Sequence, residues 1–286
     1  MYSAPDFPDC PPVNRYHTTA LGIPTSYTMH GHPGQPTLLL LHGMSSSADS
    51  FRELIYQLGN DYRLIAPDIP GFGYSADMSP YTISHLVEWL AAFVTALDLH
   101  RPVLLGHSFG GVVVTAFAHR YPEYCGGLVL LAPALLAASR YPEWARNLVN
   151  PRLVEAVTTA SLALSRRTVL PYQVRAPFYD PAALPGHIFS RRTEDYLRAR
   201  ASAQVLSAVM TFDVMGILPD VAVATQLIWG ENDMVVLAEN APAIAELMPD
   251  VRGTLILPEC GHVPATEKTA AVAAGVHGFM AARRLV

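Results

Sequence analysis

Short runs of apolar residues alternate along this chain with longer stretches in which an apolar residue recurs every third or fourth position. Residues 37–41, 63–66, 103–106, 128–131, 226–229 and 254–257 are brief and mostly apolar. Runs of that length with no polar alternation predict strands covered on both faces. Helical patterns lie between them. They cover 49–58, a segment after Thr82 in which Leu86, Leu90, Phe93 and Leu97 fall on one face, the run 109–120, a stretch near 238–247, and a last one carrying Val272, Val276 and Phe279. Ahead of these, 15–20 and 25–30 flank a turn at Gly22-Ile23-Pro24 and predict a β-hairpin, after a proline-rich lead-in over 1–14. Strands that alternate with crossover helices run parallel. The expected fold class is therefore α/β, with a mostly parallel central sheet flanked by helices.

The alternation stops after Pro133. Residues 134–218 hold no clear strand, only helical patterns near 143–148, 153–164 and 194–212. In the last, Leu197, Ala201, Val205, Ala208 and Phe212 form one stripe, and Thr193 is placed to cap it. The sequence thus divides into a core made of 1–133 and 219–286 and an inserted all-helical unit, 134–218. Charge follows the same division. Ten of the nineteen basic residues lie in the insert, all of them arginine, against six acids; the insert carries +4 and the remainder −9. Most such arginines solvate a helical surface, but one that faced a binding site would favour an anionic substrate.

A chain that is 51% hydrophobic and 15% charged has material for a sizeable core and is not disordered. Its net charge of −5 offers no general attraction for nucleic acid or anionic membranes. Cys10, Cys125 and Cys260 are too few and too scattered for a disulfide framework or a zinc site. The first residues lack a basic start and an apolar stretch, and no uncharged apolar run approaches the ~20 residues that span a bilayer. A soluble cytoplasmic protein is expected.

In parallel sheets ligands bind beyond the carboxyl ends of the strands. The residues there are His42-Gly43-Met44, Asp68, Ser108, Trp229-Gly230-Glu231-Asn232-Asp233 and Cys260-Gly261-His262. Ser108 stands in Gly106-His107-Ser108-Phe109-Gly110-Gly111 between a strand and a helix. Glycines two residues either side remove the collisions that so tight a reversal would cause, which is the physical content of a G-x-S-x-G nucleophile elbow. A serine in a softened turn can also do no more than cap the helix. Serine attacks only when a base takes its proton, and the base needs a carboxylate to orient it. His262, in a loop beyond the last strand, is the expected base. Strand alternation should turn His107 away from Ser108. Asp233 is the expected acid, with Glu231 as the alternative. Backbone N–H groups of Phe109 and Met44 are the expected oxyanion donors, with His42, Gly43, Gly106 and Gly110 in support. Asp68 is expected to brace its turn. No H-E-x-x-H, P-loop or dinucleotide fingerprint occurs, so neither a metal nor a cofactor is expected.

In these residues the chain resembles the α/β-hydrolase superfamily in its form with a helical cap. The resemblance rests on His42-Gly43, the D-x-P-G-x-G-x-S run from Asp68 to Ser75, the elbow, Trp229-Gly230-x-x-Asp233 and Gly261-His262. It implies Ser108 as nucleophile, Asp233 as acid, His262 as base and 134–218 as cap. Val236 stands where the family often has proline. Relatives that open epoxides or remove halide resemble this pattern with aspartate in place of serine. Hydrolases of carbon–carbon bonds usually carry Ser-Met-Gly where this chain has Ser108-Phe109-Gly110. The resemblance is strongest to carboxylesterases and lactone hydrolases, with a small-molecule ester, mainly hydrophobic, as the implied substrate. Carbon–carbon hydrolysis and a low-turnover receptor on the same fold are the competing readings.

Overall fold

The protein is described by a computed structural model, which covers residues 10–136, 156–157, 159–160 and 169–283. The expected helix at 143–148 lies outside the described residues, as do Arg140, Arg146, Arg152, Arg166 and Arg167, the first nine residues and most of 153–164.

The described residues form an eight-stranded sheet in the order β1-β2-β4-β3-β5-β6-β7-β8. The strands are β1 (Arg15–Ala20), β2 (Ile23–His30), β3 (Thr37–Leu41), β4 (Arg63–Pro67), β5 (Val103–His107), β6 (Gly127–Leu131), β7 (Thr225–Gly230) and β8 (Val251–Leu257). The hairpin β1–β2 is antiparallel and joins β4 antiparallel; the remaining neighbours are all parallel. Both faces are covered, as the apolar runs require. In β3, Leu39 and Leu41 face one core while Leu38 and Leu40 face the other. The same period of two recurs in Leu128 and Leu130 against Val129 and Leu131, and in Leu227 and Trp229 against Ile228. Helices α2 (Ile83–Ala96) and α3 (Phe109–Arg120) close the first core, through Leu86, Leu90, Phe93, Val113 and Phe117. Helix α1 (Arg52–Leu58) and the C-terminal α7 (Thr269–Arg283) close the second, through Leu54, Leu58, Val272, Val276 and Phe279. Each fully buried leucine of this kind contributes about 2 kcal/mol.

Strand β8 begins three residues before the expected 254. Its first six residues alternate between half-buried and exposed, so the strand has no continuous apolar run by which to recognise its start.

Between β6 and β7 the described residues contain helix and no strand. The expected single helix over 194–212 is two: α4 (Gly186–Arg198) and α5 (Ser202–Thr211). The break has a tertiary cause. The amides of Arg200 and Ala201 both donate to Gly71 O, at 2.9 and 3.2 Å, and the Arg200 guanidinium bonds Ser75 O at 2.6 Å. The loop after β4 takes the amides that would have continued the helix. Thr193 therefore sits inside α4, its hydroxyl donating to Phe189 O, and Leu197 is exposed. The insert has its own small core of Leu170, Val174, Phe178, Leu184, Ile188 and Phe189. It is tied to the sheet domain by Arg191–Glu53 at 2.6 Å and by Ser45–Ser202 at 2.9 Å. A short helix α6 (Asn240–Leu247) connects β7 and β8.

Asp195 of α4 is buried where the insert meets the sheet domain. Burial pushes its carboxyl from 3.8 up to about 7, against the pull of a hydrogen bond from Ser47. The folded protein holds a proton that the unfolded chain releases across that window, so this residue's contribution to stability falls as pH rises from about 4 to about 7. Asp195→Asn removes the titration. In thermal unfolding, the variant's Tm relative to wild type should rise between about pH 5 and about pH 8; a difference independent of pH would contradict the burial argument.

Candidate active site

The reversal between β5 and α3 is made at Ser108, with φ 52° and ψ −115°. L-residues rarely adopt such a conformation, and it persists only where the surroundings hold it. Here they do. The Ser108 amide donates to Leu131 O at 3.0 Å, and its carbonyl accepts from Gly111 N at 3.0 Å and Ala134 N at 3.1 Å. The flanking glycines are required by close approach. A Cβ on Gly106 would lie 2.6 Å from the Val114 side chain and 2.7 Å from Gly110 O. One on Gly110 would lie 2.6 Å from His42 O and closer still to Leu41 O.

Ser108 lines a cavity of about 280 Å³ between the sheet domain and the insert, together with Met44, His107, His262, Arg192 and Tyr196. Asp233 does not line it but stands directly behind. His262 Nδ1 donates to Asp233 Oδ2 at 2.7 Å, and both residues are buried. The other carboxylate oxygen, Oδ1, accepts from the amides of Val235 at 2.8 Å and Val236 at 2.9 Å. A proline at 236 would have no N–H to give. With Oδ2 bound to Nδ1–H, the imidazole presents Nε2 as the free base. Glu231, the alternative acid, is exposed to solvent.

The proposed oxyanion donors occupy different settings. Met44 is half-exposed at the cavity, after His42-Gly43. Phe109 is the first residue of α3, with its ring buried in the core. A first helical amide has no intrahelical acceptor and points outward from the helix start. His42 is buried and fixes the strand tip. Its Nδ1 donates to Gly43 O at 2.8 Å and its Nε2 accepts from Ile69 N at 3.0 Å, while burial lowers its basicity and keeps it neutral. Gly43 lets the chain pass Ser108: a Cβ there would be 3.2 Å from the Ser108 Cβ. Asp68 has the bracing role expected of it. It accepts from Arg15 at 2.6 Å, Ala48 N at 2.8 Å and Tyr74 N at 3.0 Å.

One expectation is corrected. His107 does not leave the site by strand alternation. The alternation ends where Ser108 enters the positive-φ region, and both residues line the same cavity. The His107 ring lies 4.9 Å from the His262 ring, and its Nε2 donates to His262 O at 2.7 Å. Burial, then the neighbouring His262, push its basicity well below the usual range, so His107 is a neutral donor here. Among the insert arginines, Arg192 reaches the cavity. Its Nε donates to Val174 O at 3.2 Å and its guanidinium lies over the Phe178 ring, 5.0 Å from the centroid. Among the described residues no group of three or more His, Cys, Asp or Glu is arranged to hold a metal, and no helix is long and apolar enough to cross a membrane.

Comparison with known proteins places this geometry in context. The alpha/beta hydrolase fold family matches residues 36–269. Lipase 1 of Psychrobacter immobilis is 27% identical over 262 residues, covering 87% of this chain and 78% of its own. A thermophilic esterase from Thermogutta terrifontis superposes with a TM-score of 0.77 at 22% identity, over 95% of this chain and 99% of the other. The 2-hydroxy-6-oxo-6-phenylhexa-2,4-dienoate hydrolase of Rhodococcus sp. strain RHA1 superposes with a TM-score of 0.78 at 19% identity, over 94% and 99%. At such identities the two superpositions establish a common fold and leave the substrate open.

The elbow geometry has a consequence measurable without any substrate. Gly110→Ala drives a methyl into the carbonyl oxygens of Leu41, the last residue of β3, and of His42, which follows it and is fixed by its own hydrogen bonds. A loss of more than about 3 kcal/mol in denaturant unfolding, or failure to fold, is expected. A variant as stable as wild type would mean that the elbow is looser than described.

Proposed function

The chain belongs to the alpha/beta hydrolase fold family, and we propose that it is a serine hydrolase of small to medium, mainly hydrophobic carboxylic esters, lactones among them. The observation that carries this reading is the meeting of Ser108 and His262 on one cavity, with Asp233 bonded to the far side of the imidazole. The lipase named among the relatives supports it.

Ser108 Oγ attacks the ester carbonyl as His262 Nε2 takes its proton. Asp233 holds the Nδ1–H tautomer and stabilises the imidazolium. The carbonyl oxygen, now negative, is met by the amides of Met44 and Phe109, each worth roughly 10²–10³ in kcat. His262 then returns the proton to the departing alkoxide. Water, deprotonated by the same imidazole, adds to the acyl carbonyl, and as the adduct collapses the imidazolium protonates Ser108 Oγ and the acid leaves. Residues 134–218 are the proposed cap, and its described residues between 172 and 196 form the outer wall of the cavity. That wall is mainly apolar, through Tyr172, Ala176, Pro177 and Tyr196, and the cavity's size suits a small acyl or alcohol group. Arg192 adds one positive charge to it, which lowers the cost of an acidic group at the end of the ester remote from the scissile bond.

A p-nitrophenyl ester series tests the reaction. Ser108→Ala should lower kcat by on the order of 10⁶ and abolish labelling by a fluorophosphonate, and Asp233→Asn should lower kcat by about 10⁴. Retention of more than a few per cent of activity by Ser108→Ala would overturn the assignment. A vinylogous diketone in the same series addresses the second reading, suggested by the dienoate hydrolase among the structural neighbours; turnover of the diketone alone would establish it. Labelling without turnover of either class would favour a receptor.

The mono-p-nitrophenyl ester of succinic acid, compared with the butyrate, tests the role of Arg192. Arg192→Met should lower the ratio of kcat/KM for the anionic ester to that for the butyrate by about tenfold or more. An unchanged ratio would return Arg192 to a packing role.

A further inference from the structure

Glu267 lies five residues after His262, in the single helical turn Pro264–Glu267, and belongs to none of the strand-end positions from which the site was assembled. It is nevertheless buried, with 6% of its surface exposed. Its Oε2 accepts from the amides of Tyr179 at 2.8 Å and Gly261 at 3.0 Å, and its Oε1 accepts from the amide of Val263 at 3.1 Å. Gly261 and Val263 are the two neighbours of His262. Tyr179 is part of the insert.

The remaining contacts of this loop have the same character. The amide of His262 itself donates to Pro177 O, also in the insert, at 2.7 Å, and its carbonyl accepts from His107 at 2.7 Å. Val263 packs into the insert's own core, with Leu170, Val174, Phe178 and Ile188. Gly261 permits the approach: a Cβ there would lie 2.5 Å from Pro177 O and 2.7 Å from Tyr179 N. The loop carrying the base is thus bonded to segment 177–179 on one side and to the residue before the nucleophile on the other.

We infer that Glu267 is a positioning residue, whose carboxylate clamps the His262 loop to segment 177–179 of the insert and so holds the base in alignment. The proposal rests on His262 being the base of the reaction described above. Its chemistry is specific to a carboxylate. Three N–H donors converge on the group, and two anionic oxygens offer about four acceptor sites in the plane of the carboxylate. An amide of the same shape keeps one oxygen and turns an NH₂ toward a backbone donor. Either Val263 N, or the pair Tyr179 N and Gly261 N, then loses its acceptor. Burial works against the charge and pushes the carboxyl upward, while the three amides pull the other way. The clamp therefore spends buried charge on backbone alignment, which a core needed only for packing would not require.

Glu267→Gln tests this with the p-nitrophenyl ester that wild type turns over best. A base displaced by about 1 Å costs on the order of 10² in rate. The variant should fold, keep KM within about twofold and lose about 10–100-fold in kcat. A folded variant whose kcat stays within about twofold of wild type would overturn the proposal, as would a loss expressed in KM alone. Amide hydrogen exchange on the wild-type protein supplies the second measurement, and it serves if the variant does not fold. Tyr179, Gly261, His262 and Val263 should show common, strong protection. Fast exchange at Tyr179 beside slow exchange at Gly261 would show that no clamp joins them. Absence of turnover by wild type on every ester would count against the esterase reading, while hydrogen exchange would still decide whether the clamp exists.

Discussion

A residue at φ 52° and ψ −115°, between a strand and a helix that are both buried, keeps that conformation only if its neighbours leave it no other. At Ser108 the neighbours are the sheet itself. Its amide is bonded to β6, its carbonyl to the first turn of α3 and to Ala134. The adjoining glycines bring α3 so close to β3 and β5 that no side chain fits between them. The reversal fixes much else. It sets the first residue of α3 directly after the serine at the strand ends. It requires His42-Gly43 to pass within contact distance. It leaves the cavity as the space in which the other groups can act. The strain is maintained by packing that serves the fold in any case, since the helices on both faces are held by the same alternating leucines.

His262, the proposed base, is held in a different way. Ser108 belongs to the rigid sheet, whereas His262 belongs to a loop whose contacts run largely to the insert and to His107. Asp233 orients the ring, and Glu267, Pro177 and Tyr179 orient the backbone that carries it. The two halves of the site are therefore positioned by different parts of the chain, one by the sheet and one by the seam between sheet and insert. This division bears on substrate choice as well. The described part of the insert lines the outer wall, Arg192 included, and is also bonded to the loop of His262, so its sequence can vary in the wall only as far as the seam permits.

Much of this was legible in the residues. Strands such as Thr37–Leu41 and the elbow helix Phe109–Arg120 are readable because an uninterrupted apolar run, or a glycine-bounded turn, leaves a local signal. Ser108, His262 and Asp233 became candidates by asking what stands at the strand ends, a question that needs only the order of elements, and the structure brings Ser108 and His262 to one cavity with Asp233 bonded to His262. Three features were not legible, two of them because they depend on a partner distant in sequence and one because a local rule stops at the elbow. The break between α4 and α5 is made by Gly71 O, far upstream. His107 was misassigned because alternation was carried one residue too far, into the elbow where it no longer holds. Glu267 looks like an ordinary acid on a short helix until Tyr179 and Gly261 are seen to converge on it. The G-H-x-x-x-x-E spacing from Gly261 to Glu267 was the one available signal, and it says nothing of the insert.

The central claim is that a single serine, held at the elbow, carries the acyl group between attack and release. Ser46 also lines the cavity, and Ser45 and Ser47 adjoin it in the chain, so the claim is discriminating. Rapid acid quench during turnover of an activated ester, followed by proteolysis and mass spectrometry, reads it directly. The account predicts one acyl adduct, on the peptide containing Ser108, that forms within the first turnover and disappears as substrate is exhausted. An adduct on the peptide containing residues 45–47, or steady turnover with no adduct at any time in the wild type and in a variant slowed in deacylation, would contradict it.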